Sequence, residues 1–283
     1  MSETCFIKGL YLVATPIGNL GDISSRAIEV LTAADTIACE DTRNTQKLLN
    51  LLGIKKKRLT AYHEYNADKA RPYILERLRN GEMIALVSDA GTPLVSDPGY
   101  RLVQDCISQN IYVTAIPGAS AVLTALQLSG LPSHRFLFEG FLPPKTTARK
   151  KELALLAEVP ATLIFYESPQ RLEETLKDMI FVLGDRYAAV VRELTKKFEQ
   201  TIRGTFSDLL TYYQKNNPPK GEIVIVVSPA EQKKESLDEI RNQLTEALKK
   251  MSVKEAVFLI SQSTSESRKT IYQMAVEIKN ASK

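Results

Sequence analysis

This chain has almost no histidine, little cysteine and no long apolar run. Of its 283 residues only His63 and His134 are histidines. Two imidazoles exclude a multi-histidine metal site, and neither HExxH nor CxxC occurs, so no metal centre is expected. The three cysteines, Cys5, Cys39 and Cys106, are odd in number and far apart. They supply neither a disulfide framework nor a ligand set, and read as buried free thiols of a reducing compartment. No apolar run approaches the ~20 residues of a membrane span. LYLVATPIG (10–18) is broken by Pro16 and Gly18 with no small-residue cleavage site behind it, so no signal peptide is expected. The expected location is the cytoplasm.

Several catalytic signatures are missing too. There is no GxxxxGK[ST] and no GxSxG, and the glycines of IGNLGD fall at 18 and 21, the wrong spacing for a dinucleotide fingerprint. Charge of neither sign dominates: Lys and Arg number 37 against 33 Asp and Glu. That surplus permits an RNA partner without demanding one. It lies wholly in residues 119–283.

What is present is a regular alternation. Short apolar runs at 10–14, 36–40, 59–62, 83–88 and 112–116 read as strands. Amphipathic stretches follow at 24–33, 43–52, 68–80 and 99–109, and PGASA (117–121) opens an Ala/Leu-rich helix. This predicts a mainly parallel sheet covered on both faces. A second cycle begins near 131. Strands are expected at 136–141, 162–167, 187–194, 200–204 and 222–227, the fourth possibly antiparallel, with helices at 146–158 and 169–181. After Pro229 the strand signal ends. Helices are expected near 236–250, 253–261 and 264–279, with capping boxes at Ser252–Glu255 and Ser263–Glu266. The reading is therefore two α/β domains, 1–118 and 119–230, and a helix–turn–helix-like extension, 231–283.

The unusual residues fall at strand C-termini. ATPIGNLGD, CEDTRNT, YHEYN, SDAGTPLVSDPG and PGASA follow the first five strands. GFLPPK, FYESPQR and RELTKKFE follow strands of the second domain. Loops from one edge of a parallel sheet line a common crevice, the usual ligand position in open α/β folds. SDAGTPLVSDPG packs two aspartates, two prolines and two glycines into twelve residues, a rigid cradle rather than a plain turn.

These segments, in this order over roughly residues 9–228, resemble the ribosomal small subunit methyltransferase I family, of the tetrapyrrole-methylase (class III methyltransferase) fold. The resemblance implies S-adenosyl-L-methionine as methyl donor and 2′-O-methylation of a cytidine ribose in the decoding region of 16S rRNA. It implies the 30S ribosomal subunit or its RNA as partner, with neither membrane nor DNA, and a homodimer. It places the donor between the two α/β domains, against Pro16, Ser88, Asp89, Ala90, Thr92, Ser120, Ala121, Tyr166, Glu167 and Leu194. Asp89 would meet the donor's amino group or a hydroxyl, and amides near Ser120 its carboxylate. Tetrapyrrole enzymes carry a GPGD-like turn after the first strand. TPIGN here, with Asn19 in place of the acid, favours RNA over the alternative, a small acceptor such as a tetrapyrrole.

A ribose hydroxyl is a poor nucleophile, so a base or a nearby cation is expected. His63, Glu40 and Lys145 are the catalytic candidates, with Asp41 and Glu64 beside them. Arg43, Lys145, Arg149, Arg171, Arg192 and Lys196 are the candidate phosphate contacts; Lys250, Lys254, Arg268 and Lys269 add a second basic set, unless the extension is a dimerisation or packing appendage. Tyr62, Tyr65, Phe141 and Tyr166 are candidates to stack on a splayed-out base.

Overall fold

The computed structural model describes residues 6–216, 219–230, 237–264 and 266–281. Cys5 lies outside them. The chain divides into two compact units, 1–230 and 231–283.

The first unit holds two five-stranded sheets. β1 (Leu10–Val13), β2 (Thr36–Cys39), β3 (Arg58–Ala61), β4 (Ile84–Val87) and β5 (Val113–Ile116) run in the order β3-β2-β4-β1-β5. Every pairing is parallel. β2 and β4 are buried along their whole length, which is why they read as continuous apolar runs. α1 (Ser25–Ala33) and α2 (Thr42–Leu51) pack on one face through Val30, Leu31 and Leu49. α3 (Ala67–Arg79) and α4 (Tyr100–Ser108) pack on the other through Ile74, Leu78 and Leu102. The chain leaves β1 toward β2 but leaves β4 toward β5, in opposite directions. A crevice therefore opens at the C-terminal ends of β1 and β4.

The second sheet is mixed. β6 (Phe136–Phe141), β7 (Thr162–Glu167), β8 (Tyr187–Arg192), β9 (Gln200–Thr205) and β10 (Ile223–Val227) run β6-β7-β10-β8-β9. Only β6 and β7 pair in parallel. α6 (Thr146–Leu156), α7 (Leu172–Leu183) and α8 (Phe206–Lys215) cover one face. α8 is absent from the sequence reading, although its signals are ordinary: a capping box joins Thr205 and Asp208, and Phe206, Leu209 and Tyr213 are buried. α5 (Ala121–Ser129) covers the other face. Its Val122, Ala125 and Leu126 share a core with Ile164, Val191 and Val224 of the sheet and with Ile17 from the loop after β1. That shared core joins the two halves beneath the crevice. Each such side chain, fully buried, contributes about 1.5–3 kcal/mol, so the floor of the crevice is firmly built.

The second unit contains α9 (Leu237–Leu248), α10 (Val253–Ser263) and α11 (Arg268–Ala281) around Ile240, Leu244, Ala256, Ile271 and Ala275. The Ser252–Glu255 capping box is present. The other expected box involves the Ser263 side chain, which lies outside the described residues. α11 starts at Arg268 rather than 264, where the Ser267 hydroxyl accepts from the Thr270 N–H at 3.1 Å. Among the described residues no helix is long and apolar enough to cross a membrane.

Candidate functional site

The loops at the crevice are tied to one another through their backbones. Thr15 and Gly91 exchange two hydrogen bonds, 2.9 and 3.0 Å, joining the loop after β1 to the loop after β4. The Thr15 hydroxyl donates to the Ser88 carbonyl at 3.3 Å, and the Thr92 hydroxyl to the Ala119 carbonyl at 3.1 Å. Gly118 is a glycine because a Cβ there would lie 2.9 Å from the Ala14 Cβ. Three loops far apart in sequence thus form one rigid rim. Leu94 and Ser96 adopt left-handed φ of 71° and 64°. Non-glycine residues in that region carry strain, which packing must hold and which gathers at ligand sites.

The rim encloses a cavity of about 350 Å³, within the range of small-molecule sites. Ile17, Val95, Ile223 and Val224 give it an apolar wall. The second sheet supplies Phe141 and Tyr166, whose rings meet edge to face at 5.5 Å. A register shift at Gly140, φ 78°, bends β6 beside the Ser96 hydroxyl and precedes the exposed Phe141 ring.

One acid in this wall escaped the sequence reading. Asp97 lines the cavity, and burial pushes its carboxyl up to about 6, with Glu40 and Asp89 adding like-charge repulsion and Ser88 opposing it by a hydrogen bond. Its signal in the sequence is the second aspartate of SDAGTPLVSDPG. Tyr166 is pushed up to about 12, chiefly by burial, and stays protonated.

The expected donor contacts divide. Ala90, Thr92, Ser120, Ala121, Tyr166 and Glu167 line the cavity. The Ser120 hydroxyl caps α5, accepting from Leu123 N–H at 3.4 Å, and Ser120 and Ala121 bring the start of that helix to the cavity. Glu167 lines it while its carboxylate is engaged elsewhere, by Ser168 N–H at 2.7 Å and the Thr175 hydroxyl at 2.5 Å. Pro16, Ser88, Asp89 and Leu194 are not in the lining. Ser88 is buried and bonds the loop's own carbonyls at Ala90 and Gly91. Leu194 is buried in the shared core. Asp89 is exposed and accepts from Asp41 N–H at 3.1 Å and Asn44 Nδ2 at 2.8 Å. Asp97, Glu167 and Glu222 bring carboxyl groups to the lining, and the Asp89 carboxylate stands outside it at the start of α2.

Of the catalytic candidates, Glu40 and His63 are neighbours at the strand ends of the parallel sheet. Glu40, at the end of β2, has its carboxyl raised by burial and by Asp89, with the neighbouring His63 opposing that rise. His63 Nδ1 is buried with no hydrogen-bond partner. Lys145 is exposed at the N-terminus of α6, in the other half.

Most of the candidate phosphate contacts have internal partners. Arg149 is fully buried and paired with Asp178 at 2.7 Å, which removes it as an RNA contact. The Arg171 guanidinium donates to the Leu142 and Pro143 carbonyls, holding the GFLPPK turn. Arg192 bonds Gln200 and the Lys220 carbonyl. Lys196 pairs with Glu193 and Glu222. Arg43 remains 85% exposed beside Asp41, whose carboxyl it holds at about 2. Tyr62 is 1% exposed and cannot stack on a base, whereas Tyr65 is 94% exposed.

A family model described as tetrapyrrole (corrin/porphyrin) methylases matches residues 9–210, and one described as RsmI C-terminal HTH domain matches 234–279. The chain is 50% identical over 274 residues to a ribosomal RNA small subunit methyltransferase I of Mesorhizobium japonicum, covering 96% of this chain and 93% of that one. It is 44% identical over 272 residues to the protein of that name from Escherichia coli O157:H7, covering 95% and 94%. Among solved structures, a cobalt precorrin-4 methyltransferase is similar with a TM-score of 0.57 at 19% identity, over 77% of this chain and 94% of that one. A diphthine synthase is similar with a TM-score of 0.57 at 15% identity, over 77% and 89%. These two likenesses are of fold.

Proposed function

Because this chain belongs to the ribosomal RNA small subunit methyltransferase I family, we propose that it methylates the 2′-oxygen of a cytidine ribose in 16S rRNA, with S-adenosyl-L-methionine as donor. The observation that carries the donor site is the cavity between the two sheets, apolar on one side and holding the half-buried Asp97, whose carboxyl has no cationic partner there, whereas those of Glu167 and Glu222 are engaged. A sulfonium nucleoside with a zwitterionic tail has the same division of character. The residues present fit it: Ile17, Val95 and Val224 would take its ring, Asp97 a cationic group, and the N-terminal end of α5 its carboxylate.

When bound, the donor supplies an electrophilic methyl group on a cationic sulfur. The chain's own work is to bind, orient and exclude water. The rigid rim holds the wall in one geometry, so positioning supplies much of the rate. His63, with its unpartnered Nδ1 and the Glu40 carboxyl nearby, is the group we assign to receive the hydroxyl proton. Lys145 and Arg43, exposed on opposite halves, are the remaining cations for the RNA backbone. Phe141 at the cavity mouth and the exposed Tyr65 offer ring faces to a base drawn out of its stack. In the second unit, Lys250, Lys254, Arg268 and Lys269 surround exposed Phe258 and Tyr272 and carry no ion pair among the described residues, a composition suited to single-stranded RNA. The protein acts in the cytoplasm, as a homodimer.

Transfer of tritiated methyl groups to 30S subunits and to free 16S rRNA, followed by mapping of the labelled nucleotide, tests this reading. Label on a cytidine ribose supports it. Donor binding without label in RNA, or label on a base, contradicts it.

A further inference from the structure

The segment after β8 is strained for no reason visible in its own sequence. Glu193 and Thr195 hold left-handed φ of 51° and 63°. Together with Leu94 and Ser96 they make four of the six non-glycine residues so placed among those described, and all four sit in two loops beside the cavity. Local bonds hold the turn: Glu193 N–H to the Glu222 carbonyl at 3.0 Å, Lys196 N–H to the Glu193 carbonyl at 3.0 Å, and Thr195 N–H to the Glu199 carboxylate at 2.7 Å.

The strain places one side chain. Lys196 Nζ lies 3.0 Å from the Glu193 carboxylate and 3.0 Å from that of Glu222, which lines the cavity. Two glycines make room. At Gly221, φ 90°, a Cβ would stand 2.0 Å from the Glu193 carboxylate oxygen. At Gly18, in the loop after β1, a Cβ would stand 2.4 Å from Lys196 Cγ and 2.9 Å from Cε. The lysine stem therefore lies across the first half's loop while its ammonium is anchored in the second half. An ammonium has three donors, and two acceptors here are already within bonding distance. Only 29% of the side chain is exposed. Burial lowers the Lys196 pKa, but Glu222 and Glu193 outweigh it and keep the group charged.

We propose that Lys196 is a positioning residue, a clamp that holds the loop after β1 against the second sheet and fixes Glu222 at the cavity rim, and is not a contact to RNA phosphate. The consequence for donor affinity rests on the reading that the cavity holds the donor. Without the clamp, the loop bearing Ile17 loses the stem packed on it, and Glu222 loses its countercharge beside Asp97 and Tyr166. The first change loosens the apolar wall. The second leaves a carboxylate free at a rim that is 74% exposed at Glu222, where water screens it. Loss of the wall therefore decides the outcome.

The test is calorimetric titration of S-adenosyl-L-methionine into the full-length wild type, Lys196→Ala, Lys196→Met, Gly18→Ala and the Gly18→Ala/Lys196→Ala double variant. The salt dependence of RNA binding is measured for each. Lys196→Ala is expected to weaken donor binding by about five- to tenfold and raise the donor KM with kcat changed less than twofold. Lys196→Met, which keeps most of the stem, is expected to lose less. Gly18→Ala is expected to weaken binding as well, through backbone strain at φ 156° and through the collision with the stem, and the double variant is expected to lose less than the sum of the two single changes, because removing the stem relieves the collision. The slope of log affinity against log salt is expected to match the wild type. Unchanged donor affinity with a slope lower by about 0.7–0.9 would make Lys196 a phosphate contact and overturn the proposal. Strictly additive losses at Gly18 and Lys196 would also overturn it. If wild type binds the donor and Asp97→Asn does not, yet Lys196→Ala binds like wild type, the clamp fails and the cavity reading stands. No binding by wild type overturns both.

Discussion

At the strand ends that meet the crevice, the two halves of the first unit treat charge differently, although away from it the parallel half also pairs its ions, as in Arg77–Glu82. In the parallel half, acids at the strand ends are left with poor compensation: Glu40 is raised by burial and by Asp89, Asp97 by burial and by Glu40, and His63 Nδ1 has no hydrogen-bond partner. In the mixed half the buried and half-buried cations near that edge are matched. Arg149 has Asp178, Arg171 has Glu167 and two carbonyls, and Lys196 has Glu193 and Glu222. A fold that leaves charge unsatisfied at one edge is keeping it for something that arrives later. A fold that satisfies charge internally is building a wall. The difference assigns chemistry to the first half and support to the second, and each prediction below tests it.

The largest effect is expected in the supporting half. Arg149→Ala strands the Asp178 carboxylate with only Lys150 near it, 3.5 Å away. Breaking a buried pair by removing one partner costs about 3–5 kcal/mol, measurable as a lower urea midpoint. The salt dependence of RNA binding by the folded fraction should not change. A lower slope with unaltered stability would return Arg149 to the RNA.

Next comes the acid of the chemical half. Asp97→Asn should weaken donor binding at least tenfold at pH 8, since a charge-assisted hydrogen bond is worth about 1.5–3 kcal/mol. The same change should raise the thermal midpoint of the free protein. Here the sign follows from linkage. An aspartate whose folded value is raised to about 6 binds more protons in the native state than in the unfolded state between ordinary aspartate pH and 6. Its favourable contribution is complete at low pH and is lost as pH rises through about 6. The advantage of Asp97→Asn over wild type should therefore be greatest above pH 6 and shrink below it. A variant that loses both stability and affinity would make Asp97 structural.

Donor affinity should follow the same ionisation. Wild type should bind more tightly as pH rises from 5 to 7, with a midpoint near 6 that the donor's cation pulls lower, and Asp97→Asn should be flat over this range. Glu40, also raised, is the other group that could shape the profile, so Glu40→Gln is the control. A slope that survives in Asp97→Asn and vanishes in Glu40→Gln would move the donor's countercharge to Glu40.

The smallest effects concern RNA. Arg43→Ala and Lys145→Ala should each lower the salt slope by about 0.7–0.9 if each meets one phosphate, with donor affinity intact. Removal of residues 231–283 should lower the slope further, by as many contacts as Lys250, Lys254, Arg268 and Lys269 make. An unchanged slope would leave the second unit a packing appendage.

Much of the fold was legible because its signals are local. Fully buried strands such as β4 read as apolar runs, and Ser24 caps α1 as expected, accepting from Ala27 N–H at 3.1 Å. α8 was missed between two strands although its capping box was readable. The site was legible as a set of loops but not as a set of side chains. SDAGTPLVSDPG marks the cradle, yet sequence cannot say which aspartate turns inward. Asp89 turns to the start of α2, and Asp97 reaches the cavity after the chain has reversed through Leu94 and Ser96. Arg149 shows the same limit. In ARKK it reads as one cation of a surface run, and only the facing Asp178, 29 residues on, makes it the buried one.

The central claim is that the cavity between the two sheets receives the methyl donor. A crystal structure of the protein grown with S-adenosyl-L-methionine tests it most directly. The account predicts the donor between Thr92 and Tyr166, with a cationic group against the Asp97 carboxylate and its own carboxylate at the start of α5. Density for the donor in any other part of the molecule would contradict it.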